Sequence, residues 1–446
     1  MPSWPERSGS LATLPTLVPV APAERRLEVR VATLLKLAFG PLLLANLGRI
    51  PVFSTGGREV DLLANDISVM ALVLLGAVAM LVHRRLRIDA VAGFALLFAG
   101  VGAISALLAI PRFGLTSFAA IVSMGYLARW MVYLAIYVAV INTVRASDVE
   151  GMWRAMETAI LLFAAFGIVQ SAFLPGFAQM VYPDSRPYLD WDRQGHRLVS
   201  TFLDPNFAGA FIDIGLIVGL SRVAAGARVA SWKLILLGVA LVLTASRGSV
   251  LAFMVGGTAI LIASGVSRRL LRAIGAAAVL VALALPALIE WAKSHNKLTI
   301  TDPSALQRVI AWAHGWQVLQ DHWVLGIGFN TWGYVAERYG WTRSFTATYA
   351  IDGGLFFVLV MTGVVGLAFY IAMLAAIGLN ARHVWRDRRF EPGARGLAIG
   401  AAAMIPTIVV HSLFTNSLLH PFLMETLWIL WALPFLLRRD ARVATA

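Results

Sequence analysis

The chain has 446 residues, of which 59% are hydrophobic and only 14% charged, with mean hydropathy +0.76. Soluble domains run nearer a quarter charged, and many apolar stretches here reach the ~20 residues that cross a bilayer, so the composition points to an all-α polytopic membrane protein. The absence of cysteine excludes disulfides, thiol catalysis and cysteine-bound zinc, and the ~10-residue alternating segments of a transmembrane β-barrel do not occur.

In chain order, residues 1–30 are Pro-rich and include Glu24-Arg25-Arg26. They lack an apolar core with a cleavage site, which predicts a disordered cytoplasmic arm and no signal peptide. Apolar runs then predict twelve spans, near 31–48, 67–83, 88–110, 117–144, 155–174, 207–221, 231–246, 248–265, 273–291, 350–378, 396–413 and 422–437. Residues 31–437 thus form a single transmembrane domain with a cytoplasmic tail at 438–446. With the N-terminus inside, every inside segment carries basic residues and most of the 37 fall there, as the positive-inside rule asks. The net charge of +13 is therefore topological, and its dispersal over short loops predicts no nucleic-acid partner.

Two outer segments are long, 175–206 and 292–350, and long ordered loops in compact proteins are usually functional. The second holds a helix signal: Asp302 as N-cap, Pro303 at the first helical position, then Leu306, Val309, Ile310, Ala313, Trp316 and Leu319 at helical spacing, with Gly326 as the stop. This amphipathic helix is expected to lie on the outer membrane face or cap the bundle.

One charge is out of place. From Leu234 to Gly265 the only charged residue is Arg247, at the turn between the seventh and eighth spans. A lone guanidinium in hydrocarbon costs several kcal/mol, so the turn is expected to dip into the membrane beside a water-filled cavity. Arg197, just before "STFLDPNFAGAF", and Arg308, one turn into the amphipathic helix, stand on the same outer side. Three guanidiniums on one face can clamp a phosphate or pyrophosphate bidentately without a metal. Snorkelling to lipid headgroups, or pairing with an acid such as Asp204, is the plainer use of each.

Seven of the 14 tryptophans (Trp191, Trp291, Trp312, Trp316, Trp323, Trp332 and Trp341) fall in or beside the two long outer segments. Interfacial belts explain some of them, and exposed indoles also stack on sugar rings, which marks Trp312 and Trp316 as sugar contacts. Metal and cofactor motifs are weak. Asp190-Trp191-Asp192 mimics a nucleotide-sugar metal site on the wrong side of the membrane, and "GIGFNTWG" has the wrong spacing for a dinucleotide loop. The histidines show no ligand spacing, so no metal and no cofactor is expected.

Four stretches together resemble the bacterial O-antigen ligase and polysaccharide polymerase superfamily. "RLVSTFLDPNFAGAF" is similar to its Arg-x-x-Gly-Thr-Phe-x-Asn-Pro-Asn stretch, and "LTASRGSVLAF" to its Thr-x-Ser-Arg-Gly segment. "QRVIAWAHGWQVLQDHWVLGIGFN" resembles the Arg…Trp…His-Pro…Gly-x-Gly passage, and "DGGLFFVLVMTGVVGL" the motif ending Gly-x-x-Gly-Leu. The resemblance implies a GT-C-like membrane fold and glycosyl transfer outside the inner membrane, on glycans carried by undecaprenyl pyrophosphate. It implies that Arg197 and Arg247 hold the pyrophosphate with Arg308 assisting, and that a chain-length regulator and a repeat-unit flippase are partners beside membrane lipid. Ligases of this family carry His-Asn about eleven residues before Gly-x-x-Gly-Leu, as the base. Here that position is Asp352-Gly353, which favours polymerisation of repeat units over ligation to the lipid A core, with Asp352 and Arg247 as the catalytic pair. A glycan transporter or flippase is the reading of another class. Its substrate would bind near the midplane, whereas the candidate charges here gather at one face.

Overall fold

The computed structural model describes residues 32–55, 58–84, 86–182, 196–265, 303–341 and 351–445. The N-terminal arm, the ninth span at 273–291, Asp302 and the Asp190–Asp192 stretch lie outside the described residues.

Helix α1 (Ala32–Gly48) leads into an antiparallel hairpin of β1 (Ile50–Thr55) and β2 (Arg58–Leu62), with Ile50 opposite Leu62 and Thr55 opposite Arg58. Among the described residues this hairpin is a small addition to an otherwise helical bundle, which keeps the all-α class expected from the sequence. Gly56-Gly57 between two strand-prone runs is the sequence signal for the hairpin. Then follow α2 (Ala64–His83), α3 (Ala90–Phe113), α4 (Ser117–Thr143), α5 (Val149–Phe173) and the short α6 (Phe177–Val181). After them come α7 (Pro205–Ala224), α8 (Ser231–Leu243), α9 (Arg247–Ala263), α10 (Pro303–His322) and α11 (Trp332–Arg338). The chain closes with α12 (Leu355–Arg386), α13 (Pro392–His411) and α14 (Pro421–Thr445).

Eight helices among the described residues are long and apolar enough to cross a membrane, and α1, α8 and α9 are shorter apolar ones. Together they occupy every predicted span but the ninth, and the chain is a multi-pass α-helical membrane protein. Boundaries shift by a few residues. Both α12 and α14 run well past their expected ends at 378 and 437, and in α12 His383 and Arg386 in the last turn suit both water and the helix dipole.

The core is built by α12 packing on α3 and α13, by α13 against α7 and α9, and by α14 on α4. Lys36 and Arg129, which the sequence places inside spans, both meet acids, as an intramembrane charge must. Lys36 lies 3.9 Å from Asp148. Arg129 grips both oxygens of Asp66, its Nε at 2.9 Å, and Tyr133 donates to the same carboxylate at 2.7 Å.

One joint fixes the outer segment to the bundle. Helix α12 breaks at Gly363, whose φ of 65° and ψ of −171° are not helical. The loop after α10 fills the break. Ile327 and Gly328 donate their amides to the carbonyls of Val360 and Met361, both at 3.0 Å, and Val364 donates to Trp323 O at 2.9 Å. Ser105 Oγ of α3 sits 2.5 Å from Leu325 O and 2.9 Å from Met361 O. A Cβ at Gly363 would stand 2.1 Å from Val324 O, and one at Gly326 2.5 Å from Val360 O, so both positions need glycine. The Gly-x-Gly and Gly-x-x-Gly-Leu motifs are thus the two halves of one backbone joint.

Candidate active site

The turn that carries Arg247 is built from its own hydroxyls. Helix α8 stops after only 13 residues. Thr244 Oγ1 donates to Leu241 O at 2.6 Å and accepts from the Ser246 amide at 3.2 Å, while Ala245 takes a left-handed φ of 48°. Ser246 then caps α9 by accepting from the Ser249 amide at 3.3 Å, and Arg247 is the exposed first residue of that helix. A cation there faces the positive end of the helix dipole, the reverse of the usual preference, and the combination attracts an anion.

Arg197 reaches the same turn. Its Nε donates to Thr244 O at 2.8 Å and its Nη2 to Ala245 O at 3.3 Å, while the neighbouring Leu198 amide donates to Leu243 O at 2.9 Å. The structure therefore brings Arg197 to within two residues of Arg247 along the turn, although fifty residues separate them in sequence.

The Asp204-Pro205-Asn206 stretch packs behind them. Asp204 caps α7 by accepting from the amides of Asn206 (2.6 Å) and Phe207 (3.2 Å), with Pro205 at the first helical position. Asn206 Oδ1 accepts from Ser246 Oγ at 2.9 Å, which ties the α7 cap to the α9 cap. Burial pushes the Asp204 carboxyl up to about 6, against the amides of Phe207 and Asn206 and the Arg197 charge, with Asp352 pushing it further up. Both Arg197 and Asp352 thus lie close enough to Asp204 to act on it electrostatically.

Asp352 stands before α12 and accepts from Arg308 Nε of α10 at 3.0 Å. Trp312, one turn further along α10, donates its indole N–H to the Asp352 backbone carbonyl. Burial raises the Asp352 carboxyl above its usual range, and the Arg308 charge and hydrogen bond pull it back. Arg308 is thus an ion-pair partner of Asp352, the plainer of its two expected uses, within the same outer cluster as Arg197 and Asp204.

Helix α10 forms as expected. Val309, Ile310 and Trp316 of its apolar stripe are exposed, with Trp316 57% accessible, and the buried residues are Ala311, Gly315, Val318 and Leu319. The reason is close approach: a Cβ at Gly315 would lie 2.7 Å from Ile351 Cδ1 and 3.0 Å from Phe356 Cε1, so the small residues face the bundle. The apolar stripe is left on the outside.

Sequence reasoning missed the contribution of the last two spans. His411 of α13 lies 3.0 Å from Ser249 Oγ through Nε2 and 2.6 Å from Ser417 Oγ through Nδ1, which bolts the Arg247 turn to the segment before α14. His420 stacks on Phe207 with ring centroids 3.6 Å apart, and burial holds its imidazole neutral, down to about 3. A lone histidine on an apolar run gives no signal for either role. Among the described residues, no group of three His, Asp or Glu is placed to hold a metal ion.

A search of curated proteins gave no match to the chain. Residues 232–371 match the profile of the family described as O-antigen ligase, a segment that contains Arg247, Arg308, Asp352 and both halves of the glycine joint. Members of that family are enzymes of O-antigen biosynthesis. Over this segment, which begins after Arg197, the chain is similar to the O-antigen ligase family.

Proposed function

We propose that the chain is a polysaccharide polymerase of the bacterial inner membrane. It joins undecaprenyl-pyrophosphate-linked repeat units into O-antigen or exopolysaccharide at the periplasmic face, without a metal. The observation that carries the reading is Arg197 bonded to the very turn that presents Arg247. Helix α8 rises only about 20 Å against a hydrocarbon core of about 30 Å, so the turn is recessed toward the depth of a lipid-linked pyrophosphate. In the proposed step the acceptor hydroxyl attacks the anomeric carbon of the donor sugar and the C–O bond to pyrophosphate breaks. Undecaprenyl pyrophosphate leaves into the Arg197–Arg247 cradle, and the hydroxyl proton passes to the Asp352 carboxylate. Burial raises the basicity of that carboxylate, and Arg308 keeps it ionised and oriented. Trp312 beside Asp352 and the exposed Trp316 supply surfaces for the sugars.

The family description favours a second reading, ligation of finished polymer to lipid A core. Purified protein given lipid-linked repeat units as its only substrate separates the two. A polymerase extends the units and releases undecaprenyl pyrophosphate. A ligase leaves them unchanged until lipid A core is added, and that result would overturn the polymerase assignment.

A further inference from the structure

A second charged site sits at the other end of the bundle. Asp352 stands at the start of α12, and Asn380 and Arg386 lie near its end, so the end of α12 marks the face opposite the candidate active site. There the start of α3 and the end of α14 meet it around a cavity of about 360 Å³, lined by Arg87, Asp89, Asn380, Phe435, Arg438 and Arg439 among others.

The single carboxylate does not neutralise this cleft. Asp89 Oδ1 accepts from the Ala92 amide at 2.9 Å, and its Oδ2 accepts from Tyr137 OH at 2.7 Å and Asn380 Nδ2 at 3.4 Å. Arg439 is spent on the carbonyls of Ile141 (2.7 Å) and Val144 (2.8 Å) and on Asp440. Arg438 Nη1 is held by Asn380 Oδ1 at 2.9 Å, which fixes its guanidinium at the wall. Arg87 differs. Its backbone is clamped on both sides by the Asn142 amide, at 2.7 and 3.0 Å, yet its exposed side chain has no hydrogen-bond or ion-pair partner among the described residues. The backbone is thus anchored at the rim while the side-chain charge is unspent.

The surroundings select the class of ligand. Leu86 and Ile88, on either side of Arg87, are 62% and 54% exposed, so the rim offers apolar surface beside the charge. Phe435 and Ala90 give the cleft an apolar wall at the level where the spans end. An anionic headgroup attached to a hydrocarbon chain satisfies both halves, whereas a free anion uses only the charged one. We propose that this cleft binds the phosphate headgroup of an anionic phospholipid, with Arg87 and Arg438 on the phosphate and Phe435 against the glycerol and first acyl carbons.

The test uses the full-length protein, delipidated in neutral detergent, with its Tm followed during titration by phosphatidylglycerol, phosphatidylcholine or inorganic phosphate. Phosphatidylglycerol is expected to raise the Tm by several degrees at saturation and the other two to leave it unchanged. Arg87→Gln and Arg438→Gln should each shift the phosphatidylglycerol midpoint about fivefold to higher concentration, and Arg389→Gln, an exposed arginine outside the cleft, should not shift it. Equal protection by phosphatidylcholine would reduce the effect to general lipid solvation, and equal protection by inorganic phosphate would reduce it to a free-anion site. Either result, or an unchanged midpoint in the folded Arg87→Gln protein, overturns the proposal. If a variant fails to fold, the comparison of the three additives on the unaltered protein still decides.

Discussion

The glycine joint and the arginine turn look alike in sequence, since each is a short motif with Gly beside polar or small residues. They are held by different physics. At the joint, backbone meets backbone: the amides of Ile327, Gly328 and Val364 pair with carbonyls across a broken helix, and no side chain can replace the close approach at Gly363. At the turn, side chains hold everything, with Thr244, Ser246, Asn206 and Arg197 bracing a loop whose tip is a cation. The joint places α10 over Asp352, and the turn presents charge to a ligand. Damage to the first should therefore remove the protein, and damage to the second should remove only its activity.

The largest effect is expected at the joint. Gly363→Val drives a branched side chain into Val324 O at a left-handed φ, and a loss of more than about 3 kcal/mol should appear as collapse of the monodisperse peak in fluorescence-detected chromatography. Arg247→Ala should lower polymer formation by about 100- to 1,000-fold at unchanged abundance, with Arg247→Lys intermediate because an ammonium cannot bind bidentately. Abundance lost together with activity would erase the contrast between the two motifs.

The electrostatics of the turn can be read by pH. An acid whose folded pKa is raised binds its proton more tightly in the folded state. Stability linked to Asp204 is therefore greatest below the unfolded value of 3.8 and declines as pH rises toward about 6. Asp204→Asn keeps a helix-capping side chain, should flatten that slope, and should stabilise the protein at pH 7 by about 3 kcal/mol, read from Tm against pH. Asp352→Asn is expected to slow transfer about 100-fold, and adding Arg308→Gln should cost little more, because both substitutions remove one ion pair. The smallest effect belongs to Trp316→Ala, where loss of an exposed ring should weaken glycan binding a few-fold and leave the Tm in place.

The fold was legible because hydrocarbon imposes a simple rule, and ~20 apolar residues between basic loops announce a span. Arg247 was legible for the opposite reason, as the only charge in an apolar stretch that otherwise needs none. The packed face of α10 was hidden, because periodicity finds an apolar stripe without saying whether it meets protein or the outside. Here Ala311 and Gly315, which carry little hydrophobic signal, decide the packed face. The His411–Ser249 contact was equally hidden, since it joins positions 162 residues apart through side chains that give no pattern. The Arg308–Asp352 pair was half visible: both residues stood out singly, and the Gly326–Gly363 joint and the packing of Trp312 and Gly315 bring them together.

The central claim is that Arg197 and Arg247 share one pyrophosphate. Direct binding of undecaprenyl pyrophosphate to the purified protein tests it, with the dissociation constant measured for the unaltered chain and for Arg247→Ala and Arg197→Ala, each checked for an unchanged melting profile. A loss of tenfold or more in both variants, about 1.4 kcal/mol each, is the predicted result. Undiminished affinity in a folded Arg247→Ala protein would contradict it.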